Sequence, residues 1–198
     1  MDSEKIEGAL AFLKEAEKLK DVLRTAYTSS GQRESTAAHT WRLCLMAMVF
    51  EEEFADIDFA KLLKICVLHD LGEAINGDIP AIEQDPAKGK SAQEREDLQT
   101  LLAPLDAKLQ VQFLALWDEY ENASSPEARL VKGLDKLETL LQHNQGDNPA
   151  DFNYAFNLSY GQKYTSTHPL FIEIRQRLDE ETRHKALLSE QGHPHTGA

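Results

Sequence analysis

The stretch LLKICVLHDLGEAINGD, residues 62–78, joins a strongly apolar run to four ionisable side chains within its last ten residues. Its apolar residues recur at helical spacing, and the Asn-Gly pair near its end is typical of a helix C-terminus. On a helix, Glu73 shares a face with His69 and Asp70, because it follows them by four and three residues. Carboxylates buried side by side are costly unless a cation neutralises them, so the pattern indicates a metal site. A solvated pair at His69 and Asp70 is the alternative that these residues alone leave open.

Two other helical segments each carry an ionisable residue among apolar ones. His39 lies early in residues 36–50, and Asp135 lies in LVKGLDKLETLL, residues 130–141. Taken singly, such a histidine is more often an ordinary core residue, and such an aspartate is more often paired with a neighbouring lysine, here Lys132 or Lys136. Together with His69 and Asp70, they supply two histidines and two carboxylates from three helices. That donor set suits a hard or borderline divalent ion.

The periodicity of the whole chain predicts an all-α fold, a single globular bundle of roughly six to eight helices. No segment has the alternation of a convincing strand. Residues 36–50 are apolar on nearly all sides, which predicts a central, buried helix. Further helices are predicted over residues 4–22, 59–71, 91–102, 104–120, 126–141 and 169–185, with caps at Ser35, Asp58, Ser91 and Ser125.

The remaining segments lack a helical period. Residues 24–34 are polar and contain the turn residues Ser and Gly, so we expect a loop there. We expect residues 146–168 to be irregular and packed by their aromatic rings. The predicted organisation is one domain over residues 1–185, followed by a disordered tail over residues 186–198.

Composition limits the class of function. The chain has 198 residues and a formal net charge of −13, which disfavours binding to nucleic-acid polymers. A small phosphorylated substrate stays compatible with this charge, because a bound cation can reverse the local sign. The chain has no apolar run long enough to span a membrane and no signal-like N-terminus. With only Cys44 and Cys66, it has no disulfide framework, so we expect free thiols, no membrane partner and a cytoplasmic location.

The order His39, His69-Asp70, Asp135 resembles the H…HD…D signature of the HD-domain superfamily. Three stretches resemble more closely the 5′-deoxynucleotidase-like branch of that superfamily, and within it the HD-domain-containing protein 2 group. These stretches are RESTAAHTW (residues 33–41), HDLGEAINGDIP (residues 69–80) and LWDEYENASSPEARLVKGLDKLETLLQ (residues 116–142).

The resemblance implies a helical, homodimeric, divalent-metal-dependent phosphohydrolase that acts on (deoxy)nucleoside 5′-monophosphates and releases nucleoside and phosphate. It implies one divalent ion per site, with Mn, Co, Ni, Fe, Zn and Mg as candidates. The residues at the matching positions are His39, His69, Asp70 and Asp135 as metal ligands, Glu73 and Asp78 as catalytic carboxylates, and Arg24 as a contact to the substrate phosphate.

The residues leave several points open. Either Glu73 or Asp78 could activate the attacking water, and either could protonate the leaving oxygen. Two positions depart from the family pattern. Ala38 replaces the acidic residue that commonly precedes the first histidine, and Tyr27 is the aromatic residue near Arg24. The nucleobase that the protein prefers is therefore not defined by the sequence. The alternative functions are another HD reaction, by a nucleotide phosphodiesterase or triphosphohydrolase, and a non-catalytic nucleotide-binding HD module. A redox di-metal protein would need more histidines near His39 and His69.

Overall fold

The computed structural model describes residues 2–78 and 89–192, and these residues form ten α-helices and one two-stranded sheet. This architecture confirms the predicted all-α class. None of the described helices is both long enough and apolar enough to cross a membrane. The helices are α1 (Ser3–Ala16), α2 (Thr36–Val49), α3 (Phe59–Leu68), α4 (Glu73–Asn76), α5 (Lys90–Leu102), α6 (Ala107–Asn122), α7 (Pro126–Gln145), α8 (Tyr154–Asn157), α9 (Gln162–Thr165) and α10 (Pro169–Gly192), and the strands are β1 (Leu23–Tyr27) and β2 (Arg33–Ser35).

The chain divides into two compact units. The first comprises Met1–Thr25 and Glu34–Lys132, and the second comprises Ala26–Arg33 and Gly133–Ala198. The first unit contains α1 to α6, and α7 starts in the first unit and continues into the second. The predicted catalytic carboxylates therefore belong to the first unit, whereas Asp135 belongs to the second.

The core of the first unit forms where α3 packs against α2 and α6, and where α5 packs against α4 and α6. Leu43, Leu62, Ile65, Leu98 and Trp117 are all buried there. Full burial of an aliphatic or aromatic side chain of this size contributes roughly 1.5–3 kcal/mol, so this core holds α2 and α3 firmly together. His39 lies on α2, and the HD motif, His69-Asp70, directly follows α3.

Three of the predicted helix starts are confirmed by their hydrogen bonds. The side chain of Ser35 accepts from the backbone N–H of Ala38, Asp58 accepts from Lys61, and Ser125 accepts from Ala128. Each cap satisfies one of the N–H groups that the first turn of a helix leaves without a partner. The predicted stop at the Asn-Gly pair is also confirmed, because Gly77 ends α4 with φ +84°, a conformation that favours glycine.

In the second unit, α8 and α9 pack on α10. The buried guanidinium of Arg175 on α10 donates hydrogen bonds to the backbone carbonyls of Asn157, Leu158 and Tyr160. These carbonyls belong to the last residue of α8 and to residues just after it, so Arg175 satisfies groups that a helix end leaves without a partner. The segment predicted to be irregular thus contains two single-turn helices, and Arg175 ties it to the longest helix.

Several boundaries differ from the predictions. Residues 24–34 are not a simple loop, because β1 and β2 pair around a turn in which Thr28 N–H donates to Gln32 O and Gly31 has φ +76°. The predicted starts of two helices are also wrong. α5 starts at Lys90, since the carbonyl of Gly89 accepts from the N–H groups of residues 92 and 93. α6 starts at Ala107, since Asp106 caps two N–H groups.

Two further predictions are corrected. α2 is not buried on all sides, because Trp41, Leu45, Met48 and Val49 remain 65%, 43%, 56% and 69% exposed. Apolar periodicity does not reveal whether a neighbour covers a given face. At the C-terminus, α10 reaches Gly192, so the part of the expected tail up to that residue is helical, and residues 193–198 lie outside the described range.

Candidate metal centre and active site

His39, His69 and Asp70 form a compact cluster in the first unit. One possible ligand atom from each residue lies within 4.8 Å of the other two. Oδ2 of Asp70 is 3.0 Å from Nε2 of His69 and 3.9 Å from Nε2 of His39. Metal–ligand bonds of about 2.0–2.2 Å separate neighbouring ligand atoms by about 3–4 Å, so this spacing is suitable for one ion.

The end of α3 brings the two residues of the HD motif together. α3 was predicted to continue to Leu71 but ends at Leu68, after which Leu71 N–H donates to Leu68 O and Glu73 N–H donates to Asp70 O. These three-residue hydrogen bonds make a tighter turn than the α-helix. In a regular helix, adjacent side chains point about 100° apart. The tighter turn lets the side chains of His69 and Asp70 meet.

The hydrogen bonding of His69 tests whether the cluster fits a cation. Nδ1 of His69 lies 2.7 Å from the backbone carbonyl of Cys66, which can only accept, so Nδ1 carries the hydrogen. In the neutral ring, Nε2 is then a bare lone pair that is buried and accepts no hydrogen bond within the described residues. It faces a carboxylate oxygen at 3.0 Å, and two acceptors at that distance need a cation between them. The donor set therefore fits a divalent metal ion.

Tyr120 of α6 supports the same ring. Its ring packs edge-on against His69 with centroids 5.0 Å apart, and Nζ of Lys132 lies 4.0 Å above the ring of Tyr120. Lys132 also lies 3.5 Å from Glu121. The histidine is thus fixed by a backbone carbonyl on one side and an aromatic ring on another, as is common for metal ligands.

Asp135, the fourth predicted ligand, lies on α7 in the second unit. It is 4% exposed, and its Oδ2 accepts a hydrogen bond from Nζ of Lys136 at 2.8 Å. Burial lowers the pKa of Lys136, but Asp135 and Tyr160 outweigh burial and raise that pKa above its ordinary value. Lys136, one of the two lysines predicted as possible partners, is thus bonded to Asp135. The role of Asp135 as a ligand stays a prediction.

Arg24 lies beside the cluster in the first unit. Its Nη1 is 3.7 Å from Oδ2 of Asp70, and its Nε is 3.4 Å from Oε2 of the buried Glu34. The planar guanidinium suits bidentate binding of phosphate, and its charge persists at any physiological pH. The structure therefore brings the predicted phosphate contact next to three of the predicted ligands.

Glu73 is buried at the start of α4, and its Oε2 accepts a hydrogen bond from Oγ1 of Thr36 at 3.3 Å. Burial raises the pKa of Glu73, and the nearby charges of Asp70 and Asp78 raise it further, to about 10. A cation bound at Asp70 would lower this pKa, because it would offset the negative charge that opposes ionisation. Glu73 can therefore donate a proton without a cation at His39, His69 and Asp70, and accept a proton when a cation is bound there.

Two charged residues of this region were missed in the sequence. Nζ of Lys90 lies 3.1 Å from Glu94, 3.7 Å from Glu73 and 4.0 Å from Asp78. Lys90 and Glu94 are one turn apart on α5, and the sequence pattern assigned Glu94 only to the predicted cap at Ser91, so neither residue was expected at the site. Only the packing of α5 against α4 brings them to the carboxylates.

The chain is similar to several known proteins. The model of the HD domain family matches residues 16–175. The 5′-deoxynucleotidase HDDC2 of Danio rerio is 31% identical over 193 residues, which cover 94% of each chain. The 5′-deoxynucleotidase hdd1 of Schizosaccharomyces pombe is 34% identical over 148 residues, covering 72% of this chain and 74% of the relative.

A solved structure shares the fold. It is described as a predicted metal-dependent phosphohydrolase from Magnetospirillum magnetotacticum, and it superposes with a TM-score of 0.78 and 24% identity, covering 93% of this chain and 98% of the other. At that identity the likeness shows the fold alone. The family match covers most of the sequence, including all of the predicted site residues from Arg24 to Asp135. The chain therefore belongs to the HD domain family.

Proposed function

We propose that this protein is a divalent-metal-dependent phosphomonoesterase that hydrolyses (deoxy)nucleoside 5′-monophosphates to nucleoside and phosphate. The observation that carries the proposal is the bare Nε2 of His69 facing the carboxylate of Asp70, with His39 and Arg24 adjacent. The relatives named 5′-deoxynucleotidases support the substrate class. In this proposal, one divalent ion is held by His39, His69, Asp70 and Asp135, and Mn, Co, Ni, Fe, Zn and Mg are the candidate ions.

The chemistry divides among the residues of the chain. A bound divalent ion supplies Lewis acidity, which lowers the pKa of water and polarises a phosphoryl group. Arg24 pairs with the oxygens of the substrate phosphate and offsets the negative charge of the surrounding carboxylates. Glu73, fixed by Thr36, accepts the proton of the attacking water. Asp78 protonates the leaving 5′-oxygen, so that the nucleoside departs as an alcohol.

The test is phosphate release from a panel of ribo- and deoxynucleoside 5′-monophosphates. The protein is stripped with a chelator and reloaded with each candidate ion in turn, and His69→Ala serves as the inactive comparison. Metal-dependent release that is lost in His69→Ala supports the proposal and ranks the substrates. Release from cyclic nucleotides or triphosphates alone would instead indicate a different HD reaction. Folded protein that binds nucleotides without turnover would indicate a binding module.

We further infer that the protein is a homodimer that associates through the exposed face of α2. Trp41, Leu45, Met48 and Val49 lie at helical spacing on this face and are 43–69% exposed. Their exposed area, roughly 400–500 Å², is comparable to the largest apolar patch of a typical monomer, and such patches often mark interfaces. Residues 36–50 contain no acidic residue, although the chain carries a net charge of −13. Two copies would repel each other least at this face.

A cytoplasmic location is also inferred. Neither Cys44 nor Cys66 forms a disulfide, and Cys66 is buried in the core of the first unit. Free thiols persist where the surroundings are reducing, as in the cytoplasm. A fluorescent fusion expressed in the native cell would test the location directly.

A further inference from the structure

Lys90 places a positive charge among three carboxylates of the first unit. The ammonium nitrogen lies within 4.0 Å of Glu94, Glu73 and Asp78, and the side chain is 25% exposed. Burial lowers the pKa of Lys90, but the three carboxylates outweigh burial and raise it above its ordinary value. Lys90 is therefore charged at neutral pH. Two of its three neighbours are the proposed catalytic pair.

The carboxylate of Glu73 is held on both of its oxygens. Oε1 faces Nζ of Lys90 at 3.7 Å, whereas Oε2 accepts the hydrogen bond from Thr36 at 3.3 Å. A carboxylate with a partner on each oxygen has a defined plane, because rotation about its terminal bond would break both contacts. Thr36 lies on α2 and Lys90 on α5, so the orientation of Glu73 depends on two separate helices.

The position of Lys90 is also fixed by the packing of its helix, α5, against α4. Asn76, the last residue of α4, donates a hydrogen bond to Asp97 of α5 at 2.7 Å. The turn before α4 also touches α5, since a β-carbon at Gly72 would lie 2.5 Å from the carbonyl oxygen of Glu94. These contacts hold residues 94–97 of α5 against α4 and the turn before it, so Lys90, one turn before Glu94, lies near Glu73 at the start of α4.

We propose that Lys90 is a positioning residue for the phosphomonoesterase reaction, whose ammonium group orients Glu73 and Asp78 and offsets the repulsion between them. The inference rests on the proposed function, because it assigns these two carboxylates to the reaction. The competing explanation is that Lys90 only ties α4 to α5 and contributes stability. The two explanations differ in what happens to the rate when the lysine is replaced in a protein that stays folded.

The experiment compares Lys90→Met and Lys90→Arg with the matched control Lys61→Met. Lys61 also bridges two carboxylates of the first unit, at 2.7 Å from Glu119 and 3.3 Å from Glu127, with a side chain 28% exposed. It belongs to none of the proposed machinery. For each variant, kcat, KM, the melting temperature and the metal content are measured with the ion that best activates the wild type.

We expect Lys90→Met to lower kcat by about 10- to 100-fold, the range that follows from misplacing a catalytic group. KM, metal content and melting temperature should match those of Lys61→Met, which should keep the wild-type kcat. Lys90→Arg retains the charge and should recover most of the rate. The acid limb of the kcat/KM profile should move to higher pH in Lys90→Met, because the charge of Lys90 lowers the pKa of Glu73.

A readout that is independent of turnover separates this inference from the proposed function. In crystal structures, the carboxyl group of Glu73 should lose its single orientation in Lys90→Met and should keep the wild-type orientation in Lys90→Arg and in Lys61→Met. An unchanged orientation of Glu73 in Lys90→Met, or a kcat equal to that of Lys61→Met, would overturn the role of Lys90. Wild-type protein without phosphate release would refute the proposed function instead, and the crystal structures would still decide whether Lys90 orients Glu73.

Discussion

A β-carbon at Gly72 would lie 2.5 Å from the carbonyl oxygen of Glu94, so the turn before α4 meets α5 where only glycine fits. The obstructing atom belongs to the backbone of a helix and cannot rotate away. Gly72 also lies between Asp70 and Glu73, which are the predicted ligand and the predicted base. The distance between the HD motif and α5 therefore depends on the absence of a side chain at position 72.

The first prediction concerns this contact. Gly72→Ala should destabilise the protein by about 1–3 kcal/mol, the usual cost of an overpacked site, and should lower kcat because α5 moves away from Glu73. Gly31→Ala is the control, since it strains a left-handed residue, at φ +76°, in the β1–β2 turn. It should lower stability and spare kcat. Chemical denaturation and steady-state kinetics measure both effects, and a Gly72→Ala protein with wild-type stability would contradict the packing described here.

The second prediction concerns the four proposed metal ligands. Alanine at His39, His69, Asp70 or Asp135 should reduce the bound metal measured by elemental analysis, and should lower kcat by at least about 100-fold, since Lewis acidity contributes several kcal/mol. His184→Ala, on the exposed side of α10, is the control and should retain both metal and rate. The Asp135 variant is the most informative, because Asp135 belongs to the second unit. Full metal content in that variant would remove Asp135 from the ligand set.

The third prediction is a pH dependence of stability in metal-free protein. The pKa of Glu73 rises from 4.5 to about 10 on folding, because of burial and the charges of Asp70 and Asp78. Below pH 4.5, the carboxyl is protonated in both states and its contribution to stability is fully present. Between pH 4.5 and about pH 10, Glu73 loses its proton in the unfolded state but keeps it in the folded state. Its contribution to the free energy of unfolding is therefore lost as the pH rises towards 10. The melting temperature of the wild type should therefore fall, relative to Glu73→Gln, between pH 5 and pH 9.

Glu127 provides the control of opposite sign. Burial raises its pKa, but hydrogen bonds from backbone N–H groups and from Lys61 outweigh burial and hold it below the ordinary value. Its contribution to stability is present above the unfolded pKa and is lost as the pH falls. The advantage of the wild type over Glu127→Gln should accordingly shrink in acid. Parallel pH trends for the two variants would refute the assigned charge states.

The fourth prediction concerns Arg24. Arg24→Lys keeps a positive charge but loses the planar guanidinium, which can donate two parallel hydrogen bonds. KM for a nucleoside 5′-monophosphate should therefore rise by about 10- to 100-fold, which corresponds to the loss of one charged hydrogen bond. Metal content should not change. Arg95→Lys is the matched control, because Arg95 makes a two-pronged ion pair with Asp118 at 2.8 and 2.9 Å on α5 and α6. An unchanged KM in Arg24→Lys would exclude a direct contact between this guanidinium and the phosphate.

The fifth prediction tests the exposed face of α2. Trp41→Glu should convert the dimer to a monomer, because it would bury two like charges at a symmetric contact. Light scattering gives the molar mass of both proteins directly. Val111→Glu is the control, since Val111 is 70% exposed and lies on α6, which is not part of the proposed interface. A wild-type protein that is already monomeric, or a dimeric Trp41→Glu variant, would refute this interface.

Much of the local structure could be predicted because its causes are local. Ser35, Asp58 and Ser125 cap helices through hydrogen bonds that reach only three residues along the chain. The cap predicted at Ser91 was wrong, because the backbone carbonyl of Gly89, two residues earlier, accepts from the N–H groups of residues 92 and 93. Sequence motifs of this kind compete with close alternatives, and a difference of two residues in the start of a helix is too small for pattern reading to resolve.

The sequence by itself determined the helical class, the HD-type set of candidate residues and most helix starts, because periodicity and caps act within a few residues. Only the tertiary structure decided how His69 and Asp70 meet beside His39, which face of α2 stays exposed, and that Lys90 and Glu94 lie beside the predicted catalytic carboxylates. Those relationships arise where helices distant in sequence touch. They depend on contacts such as that of Gly72 with Glu94, which no spacing within a single helix encodes.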